Sequence, residues 1–161
     1  MADAVQYCDI LMPAAAPDEF PWLEKRTACP MTYQGQTYPS AENAFHASRF
    51  DKSDMRHKLA RMTPESAAYT AAMSKDAGPD WNADAIREMY HVMSTKFSTP
   101  LMRERLLSTG IRPIAMYNMY HDTLWGICMC RRCRGRGENR LGVILEKLRY
   151  DLKHLDTISA A

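Results

Sequence analysis

His121-Asp122-Thr123-Leu124-Trp125-Gly126 runs through a cysteine- and arginine-rich loop into Gly135-Arg136-Gly137-Glu138-Asn139-Arg140-Leu141-Gly142. The segment beyond it decides the architecture. Leu141, Ile144, Leu145, Leu148, Leu152 and Leu155 recur at i, i+3, i+4, i+7, i+11 and i+14, the single apolar stripe of an amphipathic helix. Asn139 stands where an N-cap belongs, and glycines 135 and 137 let the backbone approach a ligand closely. A helix start of this kind points unpaired amides and the positive end of the dipole at the loop, a setting for an anion such as a phosphate group. A short Gly-x-Gly is a weak fingerprint, however, and Arg131, Arg132, Arg134, Arg136 and Arg140 equally suit a solvated charge run, so both readings stand at this point.

The 161 residues fit one domain large enough for a core, and no linker divides them. The expected fold is α+β: a mainly helical domain over residues 23 to 155 with a small N-terminal β-hairpin, preceded by an arm over residues 1 to 22. A net charge of +2 is too small to argue for nucleic-acid binding. Five cysteines, at 8, 29, 128, 130 and 133, occur without a basic and apolar leader, which points to a reduced, cytoplasmic setting. No apolar run approaches the ~20 residues of a membrane span.

Along the chain, prolines 13, 17 and 21 leave the arm little regular structure beyond a short strand near Tyr7 to Met12. Met31-Thr32-Tyr33 and Gln36-Thr37-Tyr38 flank a two-residue Gln34-Gly35 turn and read as a hairpin. Ser40 then caps a helix from Ala41 to Phe50. Ala41, Ala44, Phe45 and Ser48 form its packing face, whereas Glu42, His46 and Arg49 share another. Glu42 lies in the first turn, where the dipole favours its charge; an ordinary helix-start acid would do the same. A shorter helix covers about 54 to 62, and Thr63-Pro64 opens the next, to about Lys75. Trp81 precedes a central helix striped by Ile86, Met89, Tyr90, Met93 and Phe97. Thr99-Pro100 opens another that ends at Gly110, and residues 111 to 117 are extended.

Several separated segments together resemble one family. They are Cys29-Pro30 with Gly35, Tyr38-Pro39-Ser40-Ala41-Glu42-Asn43-Ala44-Phe45-His46-Ala47, Asp80-Trp81, Lys96-Phe97, Leu106 to Gly110, Asp122 with Trp125-Gly126, and Gly137-Glu138-Asn139-Arg140-Leu141-Gly142 with Leu145 and Arg149. In order and spacing, from about residue 23 to 150, the chain is similar to the NADAR family, which includes N-glycosidases acting on riboflavin intermediates. The resemblance implies a cofactor-independent hydrolase that binds an ADP-ribose-like or ribose-phosphate ligand and cuts an N-glycosidic bond. Its active-site set corresponds here to Glu42, Trp81, Asp122 and Trp125. Glu42 and Asp122 would be the catalytic carboxylates, because N-glycoside cleavage develops positive charge on the sugar that an acid near the anomeric carbon stabilises. Trp81 and Trp125 would stack on the base; His46, Arg49, Gly137, Asn139 and Arg140 would complete the binding set. The implied partner is a ribosylated base, with ADP-ribosylated nucleic acid as one form of it.

This chain departs from the pattern in two places. Arg49 stands where many relatives carry lysine, and arginine stays protonated and cannot offer a neutral amine to a sugar aldehyde. Glu24-Lys25-Arg26 stands where relatives commonly show Ser-Asn-Phe, with Lys25 expected to be a solvated loop residue. Cys128, Cys130 and Cys133 are close enough to share a metal, but structural zinc takes four ligands and the usual paired spacing is absent, so no metal site is assigned; Cys29 or His121 would have to complete one. Two further function classes therefore remain beside the glycosidase: a non-catalytic ADP-ribose or nucleotide binder, and a zinc-containing nucleic-acid module.

Overall fold

The computed structural model of the chain describes residues 20 to 76 and 81 to 159, and for residues 81 to 83 and 155 to 159 the backbone alone. The expected strand near Tyr7 lies outside the described residues. The described residues divide into two compact units, one within residues 24 to 103 and one made of residues 20 to 23 with 104 to 159.

The first unit begins with the hairpin, strands β1 (Met31–Tyr33) and β2 (Gln36–Tyr38), which pair antiparallel with Met31 opposite Tyr38. Gln34 and Gly35 both take positive φ, 47° and 79°, the conformation a two-residue hairpin turn requires to match the twist of its strands. Helix α1 (Ala41–Ala47) is next, shorter by three residues than expected, and the Ser40 side chain accepts from the Asn43 amide as its cap. Helices α2 (Ser53–Leu59), α3 (Pro64–Met73) and α4 (Trp81–Lys96) complete the unit, α3 opening on Thr63 and Pro64 as expected. Helix α1 packs against α2, α3 and α4 and against β2, so it is the hub. Its alanines permit this: Ala41, Ala44 and Ala47 are wholly buried beside Phe45. Ile86, expected in the α4 stripe, is exposed, while Met89, Val92, Met93 and Phe97 are buried.

Asn43 is the polar pin of this hub. Fully buried, it donates from Nδ2 to the carbonyls of Leu59 and Met62 at 2.9 Å each, and its Oδ1 accepts from Ser40 Oγ at 2.6 Å. Leu59 is the last residue of α2 and Met62 lies in the turn that follows it, so the side chain of one helix helps to close the end of another.

The second unit contains most of helix α5 (Pro100–Ser108), strands β3 (Tyr117–Asn118) and β4 (Ile127–Cys128), and helix α6 (Arg140–Ser159). Gly110 takes the left-handed conformation past the end of α5, as expected. The parallel pairing of β3 with β4, Tyr117 opposite Ile127, is new: the extended stretch around 111 to 117 has a partner that periodicity over so few residues does not reveal. Leu141, Ile144, Leu145, Leu148 and Leu152 are buried along one side of α6 as predicted, and the side chain of Leu155, the last of the expected stripe, lies outside the described residues. The α+β architecture, mainly helical with a small antiparallel hairpin, is as expected. No helix among the described residues is long and apolar enough to cross a membrane.

Replacing Asn43 by alanine should remove both side-chain hydrogen bonds to the Leu59 and Met62 carbonyls and lower stability by about 2–4 kcal/mol, seen as a fall in the urea midpoint with an unchanged slope. Gly137→Ala should be at least as severe. A Cβ there would lie 2.0 Å from the Gly126 carbonyl oxygen, and φ is 157°; insolubility or loss of cooperative melting is the expected outcome.

Candidate active site

The first unit holds a buried carboxylate surrounded by bases. Glu42 sits in the first turn of α1, 1% exposed. Its Oε2 accepts from Lys25 Nζ at 2.5 Å. Its Oε1 lies 3.4 Å from His46 Nε2, one helical turn on, and 3.6 Å from Arg26 Nε. Residue 25 is held twice, because the Glu42 amide also donates to the Lys25 carbonyl at 2.9 Å. Lys25 is therefore no solvated loop lysine: it is 5% exposed. The correction has a physical reason, since an ionised carboxylate this deep requires a compensating charge and Lys25 supplies it.

Burial by itself would raise the Glu42 pKa. The His46 hydrogen bond and the Lys25 and His46 charges outweigh that and hold it at about 2. The group is a carboxylate at any ordinary pH, so it can stabilise positive charge but has no proton to donate. His46 Nδ1, on the far side of the ring, is buried without a hydrogen-bond partner among the described residues, which leaves a polar atom for a ligand. Arg49, further along, is half-buried.

Another buried base was not singled out from sequence. Lys96, at the end of α4, is 1% exposed and donates to the Glu24 carbonyl at 2.6 Å. Burial lowers its pKa to about 8 against the opposing influence of Cys29 and Glu24. Its only sequence signal was its place in the Lys96-Phe97 pair. Trp81 begins α4, and its side chain lies outside the described residues.

The second unit carries Asp122 and Trp125 on one turn. Asp122 Oδ1 accepts from the amides of Trp125 at 2.9 Å and Leu124 at 3.2 Å, so one carboxylate oxygen shapes the loop that presents the indole. Asn118 braces the same turn, donating to the Asp122 carbonyl at 2.7 Å. The Gly137 segment lies against protein backbone, as close to Gly126 as glycine permits. The amides of Glu138, Arg140 and Leu141 donate to the carbonyls of Thr123, Leu124 and Trp125 at 2.8 to 3.1 Å. Donors expected to face an anion thus have carbonyl partners. Asn139 occupies the N-cap position, its carbonyl accepting from Val143, but its side chain clamps Ile114 O and Met116 N instead of capping. Arg140 pairs with Glu138 at 2.7 Å on the surface. Among the described residues, then, Glu42 and His46 meet in one unit, and Asp122 and Trp125 in the other.

Known proteins add the wider frame. The NADAR domain model matches residues 15–153. The N-glycosidase YbiA of Escherichia coli is 26% identical over 140 residues, which cover 84% of this chain and 83% of that protein. The riboflavin biosynthesis protein VVA0006 of Vibrio vulnificus is 30% identical over 131 residues, 78% of this chain but only 34% of that protein's length. The chloroplastic riboflavin biosynthesis protein PYRR of Zea mays is 32% identical over 78% of this chain and 21% of its own length. The NMR structure of E. coli YbiA superposes with a TM-score of 0.77 at 25% identity, covering 92% of this chain and 87% of YbiA. A model match over most of the length, together with a shared fold, means that the chain belongs to the NADAR family.

Proposed function

We propose that the chain hydrolyses the N-glycosidic bond between a ribose and a nitrogenous base, with Glu42 as the carboxylate that stabilises the sugar cation. The reaction class is that of the family's N-glycosidases. The carrying observation is a permanently ionised carboxylate held by Lys25 and His46 at a helix start.

Cleavage of a ribosyl C–N bond passes through an oxocarbenium-like sugar in which positive charge spreads over the ring oxygen and anomeric carbon. A carboxylate fixed in a low-dielectric setting stabilises that charge without reorganising at the moment of reaction. With a pKa of about 2, Glu42 is a weak base and no acid, so its role is electrostatic. Asp122 is the second proposed acid, free to activate water through the oxygen that the turn does not use, and Trp125 the proposed platform for the base. Arg49, where a lysine would permit a sugar imine, directs the mechanism to direct hydrolysis. His46 Nδ1 and Arg140 are proposed to contact the sugar and its phosphate. Relatives named for riboflavin biosynthesis favour a small ribosylamino-pyrimidine; the arginines of residues 131 to 140 suit any substrate carrying phosphate, ADP-ribosylated bases in nucleic acid included.

Incubation with a panel of ribosylated bases, read by mass spectrometry, should show release of a free base. Against the best substrate, Glu42→Gln and Asp122→Asn should each lower kcat by about 10²-fold or more with little change in KM, since the lost interaction belongs to the transition state. Turnover unchanged in both variants would remove the mechanism.

The depressed Glu42 pKa also predicts a stability profile. Its folded value lies below the unfolded one, near 4.5, so the stabilisation is complete above pH 4.5 and is lost as pH falls towards 2. Acid titration followed by circular dichroism should show this loss in wild type; Glu42→Gln should start less stable at neutral pH and fall less steeply in that window.

A further inference from the structure

A second cluster of reactive side chains plays no part in that chemistry. His121, Cys128, Cys130 and Cys133 bring one nitrogen and three sulfurs together, all within 4.8 Å of one another. Among the described residues no other group of three or more His, Cys, Asp or Glu side chains gathers in this way. We propose that these four residues form a structural zinc site that locks the Asp122 turn to the loop after β4.

The local backbone is built for it. Cys128, buried in β4, exchanges hydrogen bonds with the returning loop: its amide donates to Arg136 O and its carbonyl accepts from Gly135 N, both at 2.9 Å. Cys130 and Cys133 close a tight turn in which Arg134 N donates to Cys130 O at 2.8 Å and Cys133 N donates to Cys130 Sγ at 3.3 Å. Arg134 and Gly135 make that turn with φ of 52° and 78°. An amide aimed at a sulfur in this way steadies a metal-bound thiolate. His121 arrives from the opposite loop with φ of 67°, a left-handed conformation uncommon outside glycine. In that pose its Nδ1 lies 3.3 Å from both Cys130 Sγ and Cys133 Sγ. Among the described residues its ring is held by these two weak thiol contacts, and a metal would bind the same atoms more strongly.

The spacing suits one ion. Zinc bonds of about 2.3 Å to sulfur and about 2.0 Å to nitrogen place tetrahedral ligand atoms roughly 3.5–3.8 Å apart, so the present separations of up to 4.8 Å need close by only about an ångström. Thiolates select zinc over magnesium or calcium, and four protein ligands leave no open position, so the site is structural. Three thiolates on a divalent ion leave one negative charge, which Arg131, Arg132, Arg134 and Arg136 in the same loop offset. The consequence is mechanical. Residue 121 precedes Asp122, so the metal ties the proposed acid's turn to β4. Zinc binding at these four side chains is independent of glycosidase activity.

The test uses the whole chain, purified under reducing conditions from zinc-supplemented medium. Expected are one equivalent of zinc by elemental analysis, and, with cobalt(II) exchanged in, the thiolate-to-metal charge-transfer and intense d–d absorption of a tetrahedral site. His121→Ala and Cys133→Ser should each weaken zinc at least about tenfold in competition with a chromophoric chelator, whereas His121→Cys should restore tight binding and Cys29→Ser leave it unchanged. Chelation should lower the thermal midpoint of wild type. Far-UV circular dichroism guards against misfolded variants, and the wild-type metal content and cobalt spectrum are independent of any variant. Substoichiometric zinc with all thiols reduced, an octahedral cobalt spectrum, or affinity unaltered by His121→Ala and Cys133→Ser would each overturn the proposal.

Discussion

A buried carboxylate must be matched by positive charge, and the first unit is arranged around meeting that demand at Glu42. Its removal from water is costly, so Lys25 is drawn from a surface loop into contact with it, the Glu42 amide grips the Lys25 backbone, and His46 approaches one turn along. The segment before the hairpin is thereby stitched to the start of α1. Small residues on the rest of α1 then let three helices close around it, and Asn43, next to Glu42, satisfies the end of one of them. Charge and packing are solved on adjacent residues of a two-turn helix. A helix this short has little stability of its own and depends on such tertiary partners.

The second unit solves a different problem, the close stacking of loop backbones. Cβ atoms at Gly126, Gly137 and Gly142 would lie 2.0 to 2.2 Å from carbonyl oxygens of Met116, Gly126 and Ile114. Side chains are excluded there so that the stretch from 114 to 118, the turn after Asp122 and the start of α6 can share hydrogen bonds directly. Asn139 completes the layer by bonding the backbone at 114 and 116. Glycines in this region thus serve chain-to-chain contact, and Asp122 and Trp125 ride on a scaffold with little freedom to drift.

Each solution bears on the proposed chemistry in its own way. Preorganised charge is effective only if it does not move when the transition state forms, and a carboxylate with several basic neighbours meets that condition. Trp125, its backbone amide fixed by Asp122, would meet the matching condition in its proposed role as a platform for the base. Lys96 marks a further place where burial has altered a base, on the helix that packs against α1.

Local chemistry made much of the fold legible. The α6 stripe, the Gln34-Gly35 turn, the Ser40 and Thr63 caps, Pro64 and Gly110 each act within a few residues, where spacing and conformational preference operate without help from the rest of the chain. The acids and indoles were singled out as candidates only through several motifs agreeing at once, because a first-turn glutamate by itself is indistinguishable from an ordinary helix-start acid. Tertiary structure decided what depends on distant partners: that Lys25 is buried against Glu42, that β3 pairs with β4, that Gly137 meets Gly126, and that His121 joins the three thiols. Each joins segments separated along the chain, and such a meeting depends on how burial, sterics and charge are satisfied together once the chain has closed on itself.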